Sequence, residues 1–102
     1  MTPLELEFQR AMISMYEIAH EHGYTASYFK HMLDQYGGVE TAKRLLAAPG
    51  IQEGLIKLWE LRLLDHSVEA NVLQEQFREL FTEDERAEAR RRLDALGYYG
   101  RH

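Results

Sequence analysis

Glu17-Ile18-Ala19-His20 sets a carboxylate and an imidazole three residues apart, and His22 follows closely. That spacing puts two metal ligands on one face of a helix, but helical di-iron sites need a second such pair and further inward-facing glutamates from other helices. The second pair is absent from this sequence, so a solvated helix end is expected there, with no metal and no other cofactor. Asp65-His66-Ser67 holds the three residue types of a nucleophilic triad. Three consecutive residues cannot adopt the relay geometry, so a helix-capping turn is expected instead and no catalytic residue is assigned. Gly37-Gly38 lacks both the Gly-x-Gly-x-x-Gly and the Gly-Lys-Ser/Thr context of a phosphate loop. The expectation is a protein that is not an enzyme.

Cations and tyrosines offer a different chemistry, that of binding. Residues 1–85 carry seven basic and fifteen acidic side chains (−8), and residues 86–102 carry five and two (+3). Glu83, Asp84 and Glu85 followed by Arg90, Arg91 and Arg92 is the order that a helix macrodipole favours within one helix. The same basic cluster, with Arg86, could contact nucleic acid. Lys43 and Arg44 could join it, because the helices on either side of Gly37-Gly38 look like a helix-turn-helix unit. Its register is poor, with Asp34 where a small residue is usual and Arg44 where an apolar one is usual. Tyr24, Tyr28, Tyr98 and Tyr99 are candidates for a protein interface, where tyrosine is enriched.

Two capping boxes mark where helices begin. Thr2-Pro3-Leu4-Glu5 and Thr82-Glu83-Asp84-Glu85 each place a hydroxyl and a carboxylate so that they exchange bonds with otherwise orphaned amides. From Thr2 the apolar residues Leu4, Phe8, Ala11, Met12, Met15 and Ala19 recur at helical spacing up to the stop at Gly23. A second helix is expected from a Thr25 cap to Tyr36, a third from Val39 to Ala48 before Pro49, and a fourth from Ile51 to Leu61 or Leu64. Ser67 or Asp65 caps a short helix around Val68 and Val72, Phe77 to Phe81 forms one loose turn, and Gly97 ends the last helix. The predicted core joins Phe8, Met12, Met15, Leu33, Leu45, Leu58, Trp59 and Leu93, with Trp59 as the anchor of the fourth helix.

The fold expected is therefore all-α, a single compact domain of about five or six helices over residues 1–98, with 99–102 as a frayed tail. A chain of 102 residues is long enough to bury a core without staples, and it contains no cysteine, which excludes disulfides and thiolate chemistry. No apolar run approaches the ~20 residues of a membrane span, and the acidic start lacks a signal-peptide pattern. A soluble cytoplasmic protein with no membrane partner is expected.

Further along, Tyr36-Gly37-Gly38-Val39-Glu40-Thr41-Ala42-Lys43-Arg44-Leu45-Leu46, Leu58-Trp59-Glu60-Leu61-Arg62-Leu63-Leu64-Asp65-His66-Ser67-Val68-Glu69-Ala70, Phe77 to Glu85 and Ala89 to Leu93 form an extended pattern. It resembles a widespread group of small bacterial helical proteins with no assigned reaction. The resemblance implies a shared fold and transfers no functional residue. One position departs from it: Arg62 stands where the group's pattern has a glycine, in the turn before Asp65. The functional expectation is a non-enzymatic interaction module that binds a protein partner or self-associates. The alternative is a helix-turn-helix-like nucleic-acid binder. A third reading, an acidic mimic of DNA, is weakened because the acids are interleaved with apolar core positions.

Overall fold

The two capping boxes form as expected. In the computed structural model, which describes residues 1–100, the Thr2 amide donates to Glu5 Oε1 at 2.7 Å and the Glu5 amide to Thr2 Oγ1 at 3.1 Å, while Thr82 and Glu85 repeat the exchange. They start α1 (Pro3–Glu21) and α6 (Glu83–Ala95). Between them run α2 (Ser27–Tyr36), α3 (Gly38–Ala47), α4 (Glu53–Glu60), a 3-10 turn (Leu64–His66), α5 (Val68–Val72) and a longer 3-10 segment (Glu75–Leu80). No strand occurs among the described residues, and the fold is all-α. A radius of gyration of 12.7 Å is that of one packed globule of this length.

Apolar spacing and the core agree along α1. Phe8, Met12, Met15 and Ala19 are buried, and the Phe8 ring meets Phe77 and Phe81 edge-on at centroid distances of 5.1 and 5.0 Å. Leu33, Leu58 and Leu93 join them, with Leu45 only partly buried against the same cluster. Trp59 does not join. It is 47% exposed, because the helix face that buries Leu55 and Leu58 turns Trp59 away from the centre. Thr25 also departs from expectation: α2 begins at Ser27 without a side-chain cap, and the Thr25 hydroxyl instead bonds His20 Nδ1 at 2.8 Å.

Glycine fixes how α1 and α3 meet. A Cβ at Gly38 would lie 2.7 Å from the Gln9 Cα, inside any normal contact, so the two backbones approach only because that Cβ is missing. The gap is used further, since Gln9 Oε1 accepts the Gly38 amide at 3.1 Å and so caps α3 from another helix.

Helix C-termini are closed by two devices. Gly23, Arg62 and Gly97 are each the left-handed residue of a Schellman turn, in which Tyr24, Leu63 and Tyr98 donate back to Ala19, Leu58 and Leu93 at 2.9, 2.7 and 3.0 Å. Arg62, at φ +62°, is the non-glycine case. By contrast, α3 ends without such a turn, and Arg92 of α6 donates to the carbonyls of Leu45, Leu46 and Ala48 at 3.0, 3.2 and 2.7 Å. Arg86 does the same for α5 through the Val72 carbonyl at 3.1 Å.

Candidate functional site

The six cations proposed for nucleic acid are engaged within the fold. Arg92 is 0% exposed and Arg86 is buried, so neither presents a charge to a ligand. The sequence order of α6 suggested that Arg90, Arg91 and Arg92 answer the dipole of their own helix, yet Arg92 serves the end of α3, and Arg86 serves that of α5. Lys43 pairs with Glu85 at 2.7 Å and lies 5.3 Å above the Phe81 ring. Arg44 pairs with Glu40 at 3.0 Å and stacks 3.9 Å from the Tyr36 ring centroid. Arg91 pairs with Glu88 at 2.6 Å, and Arg90 covers the Tyr99 ring at 4.5 Å. A single residue, Gly37, separates α2 from α3, and α3 packs against α1, α2, α5 and α6.

Local electrostatics follow from these pairings. Hydrogen bonds from Arg91 and then Arg92 hold Glu88 down at about 2, well below the usual carboxylate range. Burial pushes Glu85 upward, but the Lys43 bond and the Thr82 amide outweigh it and leave its carboxyl lowered. Burial dominates at Glu69, which is 3% exposed, and pushes that carboxyl above its ordinary value against the pull of Arg92.

The residue types suggestive of catalysis are occupied structurally. Ser67 donates to the Leu64 carbonyl at 2.7 Å and accepts from the Ala70 amide at 3.0 Å, so it is the cap of α5. Asp65 accepts from the Tyr98 hydroxyl at 2.6 Å, and that bond, aided by burial, pushes Tyr98 up to about 12. Glu17 and His20 are exposed, and His22 Nδ1 bonds the Ile18 carbonyl at 2.9 Å. Among the described residues no group of three or more His, Asp or Glu side chains could hold a metal ion. No helix among them is long and apolar enough to cross a membrane.

Three of the four candidate tyrosines divide between two concavities, each partly walled by α4. This short helix packs chiefly on the 3-10 turn that follows it. On one side Tyr24 and Tyr28 line a cleft of about 290 Å³ together with Gly54, Leu55 and Leu58. On the other, Tyr98 lines an open groove of about 590 Å³ with Trp59, Arg62, Asp65 and Gly97. The groove thus lies where the Schellman turns of α4 and α6 meet. Tyr99 belongs to neither concavity. It is half-buried and packs edge-on against Tyr98 at 5.1 Å. Of the tail expected to fray, Arg101 and His102 lie outside the described residues.

Three residues of this region were not legible as site residues. Trp59 has the sequence signature of a core anchor, but α4 buries its Leu55 and Leu58 face and leaves Trp59 exposed. Glu69 sits in a five-residue helix too short for periodicity to assign a face. Arg62 borders the groove through a left-handed backbone that its residue type does not announce. Comparison with family models, curated proteins and solved structures finds no match to the chain.

Proposed function

We propose that this protein is a non-enzymatic interaction module that engages a protein partner through the outer face of α4. The observation that carries the reading is the exposure of Trp59 at the rim of the groove shared with Tyr98. Ile56 lies one helical turn before it and is 37% exposed, so the two extend one apolar strip. Tryptophan and tyrosine dominate the energetics of protein interfaces because they bury a large area with few rotors to freeze. The charge pairing of Lys43, Arg44 and Arg91 favours this reading over the nucleic-acid one, since phosphate binding would have to compete with existing ion pairs.

The test is a photoreactive side chain placed at position 56 and irradiated in the native cells. A discrete protein adduct that disappears when Trp59→Ala is added, with an unchanged melting temperature, supports the module; an adduct to a second copy identifies self-association. Failure to form any adduct, together with micromolar duplex-DNA binding at low salt that Lys43→Ala/Arg44→Ala abolishes, overturns it.

A further inference from the structure

The cleft on the inner side of α4 has a chemistry that the protein-binding reading does not use. Its walls are largely apolar and aromatic, with Tyr24, Tyr28 and Phe29 among them. Two carboxylates, Glu53 and Glu69, also line it, and no lysine, arginine or histidine is among its described lining residues. Glu53 is exposed, whereas Glu69 is 3% exposed. The Glu69 carboxylate is incompletely partnered. It has its own amide, and Arg92 Nη1 stands 3.5 Å from Oε2, at the outer limit of a direct bond. The other four N–H groups of Arg92 are committed to Glu88 and three backbone carbonyls, so this one long contact is all that the guanidinium offers Glu69. A buried carboxylate with so little hydrogen bonding is unfavourable, and a donor cation arriving through the cleft would complete its shell.

We propose that this cleft binds a small free amine, with its ammonium group on Glu69 and its apolar body against Tyr24, Tyr28 and Phe29. A cation suits both the two carboxylates and the negative faces of the aromatic walls. The volume, about 290 Å³, is at the lower end of ligand pockets and suits a single ring or a short alkyl chain. Trp59 does not line this cleft, so the proposal stands or falls separately from the partner-binding face.

The probes are 2-phenylethylamine, the isosteric 2-phenylethanol and Nα-acetyl-lysine methylamide, titrated calorimetrically at neutral pH into the full chain and its variants. The amine should bind one site about tenfold or more tightly than the alcohol, the scale of one charge-assisted hydrogen bond. Glu69→Gln should erase that preference. Gly54→Leu should abolish binding while keeping the fold, since the nearest atom to a Cβ there is the Tyr24 hydroxyl at an ordinary 3.6 Å. It also keeps the test decisive if Glu69→Gln does not fold. Equal binding of amine and alcohol, a preference that survives Glu69→Gln, or binding unaffected by Gly54→Leu overturns the site. A lysine derivative that binds as tightly as the free amine overturns the assignment to a free ligand, because the cation would then be a partner's side chain.

Discussion

The end of α3 and the end of α4 invert what residue type alone suggests. At the first, an arginine is sealed in the interior; at the second, the one tryptophan of the chain stands half in solvent and an arginine takes a left-handed backbone. The reason is the backbone. Where α3 ends against α6, its last carbonyls lack a Schellman turn and need donors, and a buried guanidinium supplies several in one plane. When α4 ends at the surface, its own Schellman turn closes the carbonyls, and nothing draws Trp59 inward. Burial here follows the demand of unsatisfied backbone groups as much as the hydrophobicity of side chains.

The largest effect should come from breaking that arrangement at Arg92. Arg92→Met leaves three carbonyls without their donor and removes the counter-charge near Glu69, and should lower stability by ~3 to 5 kcal/mol. Trp59→Ala should cost less than about 1 kcal/mol, because half of the side chain is already wet. Urea denaturation midpoints of the two variants test the contrast directly. It collapses if Trp59→Ala proves the more damaging.

Next in size is Gly38→Ala. Its Cβ would strike the Gln9 backbone, which cannot swing aside as a side-chain end can, so α1 and α3 must separate. A loss of about 1 to 3 kcal/mol is expected in the same denaturation assay. A neutral result would mean that the α1–α3 contact yields easily, contrary to its place beside the core.

A smaller effect separates the Schellman turns from one another. Arg62→Gly should raise stability by about 1 kcal/mol by relieving the left-handed strain, and Gly97→Ala should lower it by a similar amount. Nothing lies within 4 Å of a Cβ built at Gly97, so the second change reports backbone strain without a clash. If Arg62→Gly is destabilising instead, the arginine side chain contributes more than its backbone strain removes.

Acid sensitivity should show the smallest difference. Glu88, held at about 2 when folded against an ordinary 4.5, stabilises the native state above about 4.5, and that contribution disappears as pH falls towards 2. Glu88→Gln should therefore flatten the thermal-stability profile between those limits and leave its shape above pH 5 unaltered. An unchanged acid limb would show that Arg92 is held by the α3 carbonyls alone.

Much of the secondary structure was legible because it rests on local rules. Thr2 with Glu5, Thr82 with Glu85, and Gly23 and Gly97 at helix ends act within a few residues of themselves, and the structure places the helices where these signals lie. The stripe from Phe8 to Ala19 has enough turns for its period to name the buried face. Legibility falls where elements are short. Val68–Val72 is too brief to reveal that Glu69 faces inward, and α4 is only eight residues long.

From the amino-acid sequence alone came the all-α class, the capped starts of α1 and α6 and the glycine stops at Gly23 and Gly97, since each depends on neighbours along the chain. The tertiary structure alone decided that Arg86 and Arg92 turn inward to the ends of other helices, that Trp59 turns outward, and that Glu69 lines an aromatic cleft. Those outcomes depend on where one helix ends against another, and the partners concerned lie as many as 47 residues apart, as with Arg92 and Leu45. No period or spacing along the chain encodes a distance of that kind.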